Sequence, residues 1–203
     1  MKPYNIDMAK LLYQGHASLR FETDSGKFIY VDPYAGEGYD KVPDLVLITH
    51  EHYDHNAVDR LQLGPRSIVI RAADALQNGI YYDFEYYGVK IQALPASNAN
   101  HPIDQCVGYL LEIDGKRVYI AGDTSYLPSM DNLSKENLDY AFLPIDGIYN
   151  MGPEEASRVA SIIRPKHLIP YHGKPGMLFD MTQTMKVTYE GAMLVRPGQI
   201  ITL

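Results

Sequence analysis

Residues 49–56 read Thr-His-Glu-His-Tyr-Asp-His-Asn, and this octapeptide limits the chain to folds that deliver a buried strand into a metal-binding loop. The run before it, Asp44-Leu45-Val46-Leu47-Ile48, has the length and branched apolar content of a buried strand. Side chains alternate along an extended exit from that strand, so His50 and His52 point the same way and can share one ion. Asp54 and His55 come just before Asn56 and a run, Ala57–Leu63, that reads as a helix. They turn away from the first pair and can hold a second ion. Four nitrogen and oxygen donors in so short a stretch form the kind of cluster that first-row metals require. The plain alternative is a solvated loop that happens to be rich in histidine, and the donor density argues against it.

One loop supplies at most four ligands, and two ions need more. Three further residues end a strand or sit just beyond one. Asp123 follows Val118-Tyr119-Ile120-Ala121, with Gly122 letting the backbone turn and bring the carboxylate close. His172 follows Leu168-Ile169-Pro170-Tyr171 and precedes Gly173, and His101 lies in the polar stretch Ser97–Pro102. Each alone reads as a cap or turn residue. Beside a metal loop they complete a ligand set. His167 lies inside a strand-like run and reads as structural or exposed. Cys106, the single cysteine, reads as a small core residue and excludes an internal disulfide.

The 203 residues fit a single domain, 1–203, with no linker, repeat or low-complexity segment. Strands are expected at Leu11–Tyr13, Ser18–Thr23, Phe28–Asp32, Ser67–Arg71, Val89–Leu94, Leu138–Leu143 and His167–Tyr171. A hairpin is expected from Val107–Ile113 and Arg117–Ala121 about Asp114-Gly115-Lys116, and two short strands near Met193–Val195 and Gln199–Thr202 close the chain. Helices are expected at Ala72–Gln77, stopped by Asn78-Gly79, and at Pro153–Ile163, which opens with proline and two glutamates. The tyrosine-dense stretch Tyr81–Tyr87 reads as a half-buried strand, with a lid or dimer surface as the rival. A net charge of −7 and the absence of any Lys/Arg run exclude a broad basic face for nucleic acid. No apolar run is long enough to span a membrane, and Met1–Asp7 shows no apolar signal core, so a cytoplasmic protein is expected.

The chain resembles the metallo-β-lactamase fold superfamily, in the hydrolase branch that holds ascorbate-6-phosphate lactonase-like proteins and N-acyl-phosphatidylethanolamine phospholipase D. The resemblance rests on Gly15-His16-Ala17-Ser18, Val31-Asp32-Pro33, the His-x-His-x-Asp-His loop, Ala121-Gly122-Asp123-Thr124, and Leu143-Pro144 through Pro170-Tyr171-His172. It implies an α/β fold, a four-layer αββα sandwich of two mixed β-sheets. It also implies that His50, His52 and His101 bind one metal, that Asp54, His55 and His172 bind the other, and that Asp123 bridges them. Asp32 would orient the ligand loop. His16 competes with His101 as a ligand, and otherwise has a substrate-contacting or supporting role in the active site.

The resemblance implies a hydrolase with a metal-activated water acting on a small, anionic substrate, at a phosphodiester or at a lactone or other acyl bond. Asp54 would orient that water and take its proton. Two divalent ions are expected, with zinc the default and manganese, iron or nickel compatible with nitrogen and oxygen donors. Histidine rather than glutamate at position 52 favours hydrolysis over an iron-dependent redox role. A non-catalytic metal-binding protein on the same fold is the other alternative. Lys174, Arg66 and Arg71 are the cations that could reach an anionic group, and Tyr126, Tyr149 and Met151 are expected along the cleft. The chain can also form a homo-oligomer, a small molecule being its expected partner.

Overall fold

Strand-forming runs and a few short helices alternate along the chain, and a computed structural model describes residues 8–203. The N-terminal segment Met1–Asp7, on which the signal-peptide expectation rests, lies outside the described residues. The first strands are β1 (Lys10–Gly15), β2 (Ser18–Glu22), β3 (Phe28–Val31), β4 (Leu45–Leu47) and β5 (Ile68–Ile70). Helix α1 (Ala72–Ala75) and the small pair β6 (Leu76–Gln77) and β7 (Ile80–Tyr81) follow. Then come β8 (Asp83–Tyr86), β9 (Val89–Pro95), β10 (Val107–Ile113), β11 (Lys116–Ile120) and β12 (Tyr140–Pro144). Helix α2 (Pro153–Ile163), β13 (His167–Tyr171), α3 (Met181–Thr184) and β14 (Ile200–Thr202) complete the order.

Two six-stranded sheets result, in the orders β14-β1-β2-β3-β4-β5 and β13-β12-β11-β10-β9-β8. Pairing is parallel through β3, β4 and β5 and through β11, β12 and β13, and antiparallel elsewhere in both sheets. Parallel strands are covered on both faces, which is why β4 and β12 are apolar and buried at every residue. Leu45 and Leu47 face the core between the sheets, as do Tyr109, Leu111, Ile120 and Phe142 from the other side. Side chains of this size each contribute about 1.5–3 kcal/mol on burial.

Outside the second sheet, α2 and the 3-10 segment Pro128–Lys135 bury Tyr119, Ala141 and Leu143. Ala156, Val159, Ala160 and Ile163 form the buried stripe of α2 at helical spacing. The helix stops where Arg164 turns left-handed (φ 55°) ahead of Pro165. Outside the first sheet, the cover over Tyr30, Val46 and Ile48 is Leu61, Val58 and Tyr39 from a loop with one 3-10 turn, Val58–Arg60. The four-layer sandwich is therefore present, with its first helical layer reduced to that turn.

Three local expectations are corrected. Ala57–Leu63 is no α-helix, because Leu61 is already extended (φ −100°, ψ 136°) and no residue of the turn is buried. The helix at Ala72 stops at Ala75, and Asn78-Gly79, both at positive φ, make a hairpin joining β6 to β7 rather than a helix stop. Met193–Val195 forms no strand, and this segment keeps only an isolated bridge between Leu168 and Ala192. The tyrosine-dense stretch supplies the edge strand β8, whose Tyr82 and Tyr86 flanks are exposed while Phe84 packs on the core.

Candidate metal centre

Strands β1, β3 and β4 run the same way in the first sheet, and β9, β11, β12 and β13 do so in the second. The donor-bearing residues lie just past their C-terminal ends: His16 after β1, Asp32 after β3 and the loop His50–His55 after β4. His101 follows β9, Asp123 follows β11, Asp146 follows β12 and His172 follows β13. Open α/β sheets bind ligands beyond the carboxyl ends of their strands, where successive loops splay apart. His16, Asp32 and His172 each take a left-handed backbone (φ 51°, 46° and 48°), a conformation that costs about 1–3 kcal/mol each and persists where the surroundings enforce it. Gly122 (φ +65°) lets the Asp123 loop close on Thr49, since a Cβ there would stand 3.1 Å from the Thr49 Cβ and 3.0 Å from the Val107 carbonyl.

All the histidines predicted from sequence as ligands converge with both aspartates. One group is His50, His52 and His101; another is His16, Asp54, His55 and His172; the donor atoms of each lie within 4.8 Å of one another. Asp123 lies between them, its Oδ1 3.3 Å from His55 Nε2 and 3.1 Å from His172 Nε2, and its Oδ2 3.3 Å from His101 Nε2. His16 sits in the second group, with Nε2 3.2 Å from Asp54 Oδ2, and not with His50 and His52. His101, for which His16 was the competitor, lies in the first group.

Hydrogen bonding assigns the outer nitrogens. Asp32 accepts from the Thr49 N–H (2.8 Å), the Thr49 hydroxyl (2.7 Å) and His55 Nδ1 (2.8 Å). With its proton given to Asp32, the Thr49 hydroxyl accepts from His50 Nδ1 (3.1 Å). Asn98 Oδ1 accepts the Asn100 N–H and His101 Nδ1, both at 2.8 Å. His172 Nδ1 faces Asp146 Oδ2 at 3.4 Å. Each of these rings thus has its Nδ1 edge turned to the protein and its Nε2 edge turned inward. The inward atoms His50 Nε2, His55 Nε2, His172 Nε2 and Asp123 Oδ1 are buried without a hydrogen-bond partner. Leaving such atoms unmatched costs about 1–3 kcal/mol each. Converging lone pairs from imidazole and carboxylate, held by outer partners, fit divalent cations of the first transition row.

The charges agree with this geometry. Burial opposes ionisation of Asp123, yet His172 and His55 hold its carboxyl well below the usual carboxylate range. Burial likewise opposes charge on His172, but Asp123 raises its pKa to about 9, and Asp123 and Asp32 lift His55 well above the usual imidazole value. Burial and the charge of His55 lower His50 to about 2, and burial lowers His16 and His101. Asp54, despite partial burial, is held low by the His16 hydrogen bond and the His55 charge.

Sequence reasoning missed the supports Asp146, Asn150 and Asn98. Asn150 Nδ2 donates to Asp123 Oδ2 (2.9 Å) and Asp146 Oδ2 (2.8 Å), while its Oδ1 accepts from Asn98 Nδ2 (2.8 Å). One signal was present: Ile145-Asp146-Gly147 follows β12 much as Gly122-Asp123 follows β11. Tyr149 lines the cleft over the donors, a space of 360 Å³ that Tyr53, Asp54, Asn100 and Pro175 also border. Tyr126 and Met151 pack instead into the cluster under α2. Neither Lys174, Arg66 nor Arg71 borders that cleft; Arg71 is clasped by Glu51 (2.7 Å). Cys106 is buried, with its thiol pushed up to about 12 by burial, and His167 lies tilted against the Tyr140 ring. A 410 Å³ hollow over β8–β11 is lined by Asp83, Lys90, Glu112 and Arg117 and touches no donor. Among the described residues, no helix is long and apolar enough to cross a membrane.

The β-lactamase superfamily domain family matches residues 10–172. A protein of Thermococcus onnurineus named a UPF0173 metal-dependent hydrolase is 32% identical, with 97% of this chain and 100% of that one covered. A protein of the same name from Korarchaeum cryptofilum is 34% identical, with 95% and 98% covered. Among solved structures, one from Parabacteroides distasonis superposes with a TM-score of 0.76 at 29% identity, covering 93% and 92% of the two chains. Igni18, a metallo hydrolase from Ignicoccus hospitalis, shares the fold with a TM-score of 0.73 at 24% identity, covering 97% and 98%.

Proposed function

The chain belongs to the β-lactamase superfamily domain family and is a metal-dependent hydrolase, and we propose that it works with two divalent ions on a small-molecule substrate. His50, His52 and His101 would hold one ion, Asp54, His55 and His172 the other, with Asp123 shared. The observation that carries this is the set of buried, partnerless donors, His50 Nε2, His55 Nε2, His172 Nε2 and Asp123 Oδ1, aimed at one space. Bound there, the ions supply Lewis acidity and a water acidified to near-neutral pKa.

The chain's own side chains do the rest. Asp32 and Asn98 fix the ring orientations of His55 and His101, and Asp146 faces His172 Nδ1 as a charge at 3.4 Å. Asp54 is the one carboxylate of the donor set that is partly open to the cleft, and the His16 bond to Oδ2 leaves its Oδ1 to orient an attacking water and accept its proton. His16 Nε2 is placed to share that proton. Two bond classes fit this equipment, a phosphodiester and a lactone or other acyl bond. An anionic substrate would depend on the ions alone, since no lysine or arginine borders the cleft. Zinc as the ion and a cytoplasmic setting without nucleic acid complete the proposal, supported by the donor chemistry and the acidic balance.

The test compares a phosphodiester probe and a lactone probe on zinc-loaded, manganese-loaded and chelator-stripped protein, with metal content measured in parallel. Metal-dependent cleavage with two ions per chain is the expected result. Cleavage that survives stripping, or a single ion at saturation, would overturn the dinuclear mechanism.

A further inference from the structure

We propose that the substrate is uncharged and carries an alkyl or aryl group beside a scissile acyl bond, received by an apolar collar around the metal centre; this rests on the metal-hydrolase reading above. Tyr53 and Tyr149 stand at the rim of the 360 Å³ cleft with 73% and 50% of their surfaces exposed. Both belong to loops tied down beside the donors. The Tyr149 N–H donates to Asp146 Oδ1 (2.7 Å), and its carbonyl accepts from Asn100 Nδ2 (3.3 Å). The Tyr53 ring meets Tyr34 edge-on at 5.8 Å. The Tyr53 ring and the Tyr149 backbone are therefore held at the mouth, and apolar surface kept exposed beside converging polar groups marks a ligand site.

The collar continues past His16. A 260 Å³ hollow there is bordered by Met177 and Leu178, 42% and 50% exposed, and the Leu178 carbonyl accepts the His16 N–H at 2.7 Å. Its one cation, Arg60, is already engaged: the guanidinium donates to the carbonyls of Tyr34 and Gly36 and lies 4.4 Å over the Tyr39 ring. On the opposite side, behind His50 and His52, the adjoining hollow carries Glu51 and Asp104. A carboxylate or phosphate tail would leave water there for no partner, which is costly, and the chain's net charge of −7 repels it further. An aryl or alkyl tail instead gains burial and ring contacts. A phosphodiester carries a charge of its own that only the ions would meet, since no lysine or arginine borders the cleft.

Matched hydroxamates test this without requiring turnover, because they share one metal-binding head and differ only in the tail. Acetohydroxamate, benzohydroxamate and the carboxylate-tailed monohydroxamate of succinic acid are titrated calorimetrically into zinc-loaded protein. Benzohydroxamate is expected to bind at least tenfold tighter than either of the others. Tyr149→Ala and, on its separate loop, Tyr53→Leu are each expected to lose at least threefold of that advantage, with zinc content and acetohydroxamate affinity unchanged. Equal or tighter binding of the carboxylate-tailed compound would overturn the proposal, as would a phenyl advantage that survives in the double variant. Failure of all three to bind zinc-loaded protein would instead overturn the accessible metal centre beneath it.

Discussion

Asp32→Asn removes one charge while keeping the size and shape of the side chain, and its effects can be followed bond by bond. Oδ1 accepts only the Thr49 N–H, so an amide oxygen placed there keeps that contact. The amide nitrogen must then replace Oδ2, which accepts both the Thr49 hydroxyl and His55 Nδ1–H. The hydroxyl can rotate and accept; the imidazole can only exchange its tautomer. That exchange moves the proton to His55 Nε2, the atom aimed at the centre, and removes a donor. One charge-assisted hydrogen bond is worth about 1.5–3 kcal/mol, so the metal-free protein should lose about that much stability. Removal of such an outer partner typically weakens metal binding about 10–100-fold. Competition with a chelating dye measures the second quantity, and urea unfolding of metal-free protein the first. Unchanged zinc affinity alongside the expected loss of stability would show that Asp32 only braces the loop, and would refute the tautomer reasoning.

Asn150→Asp should set a third carboxylate 2.8–2.9 Å from Asp146 and Asp123 where a donor now stands. It should cost the metal-free protein about 3–5 kcal/mol near neutral pH, and urea titrations showing less than 1 kcal/mol would count against the network. Gly36→Ala should scarcely fold, because φ is +68° and a Cβ would lie 1.8 Å from the Gln14 carbonyl; a melting temperature within a few degrees of the parent's would contradict that packing. The metal-free protein should also lose stability as pH rises from 6.5 to about 9. His172, charged beside Asp123 in spite of burial, has its pKa raised to about 9 in the folded state. Its contribution is full below the unfolded value of 6.5 and fades as pH climbs through the folded value. Unfolding free energies that stay level or rise across that window would refute the assignment.

The donors were legible because each follows a run whose apolar content identifies a strand, and strand ends are where such folds gather chemistry. His50, His52, Asp123 and His172 all read in that way. Asn98 and Asn150 were not legible: they are 52 residues apart, and their roles exist only once two loops meet. The helix expected at Ala57 failed for a related reason. Only Leu61 is buried under the first sheet, with Val58 packed partly against it, and so short an apolar stripe does not sustain a helix. Asn78-Gly79 was recognised as punctuation but assigned to the wrong element, since the same residues that end helices also make two-residue hairpin turns. The arginines and lysine offered as anion contacts were residue types without positions, and the fold directs none of them to the cleft.

The donors come from both sheets: His16, His50, His52, Asp54 and His55 from the first, His101, Asp123 and His172 from the second. An ion shared among them is consequently a cross-link through the middle of the sandwich, in a chain whose lone cysteine rules out an internal disulfide. Tying His55 to His172 closes a loop of roughly 120 residues, for which the chain-entropy estimate is about 4–5 kcal/mol. Chelation should then loosen the whole sandwich as well as the catalytic loops, and slow unfolding should be a property that this protein has only while it holds its metal.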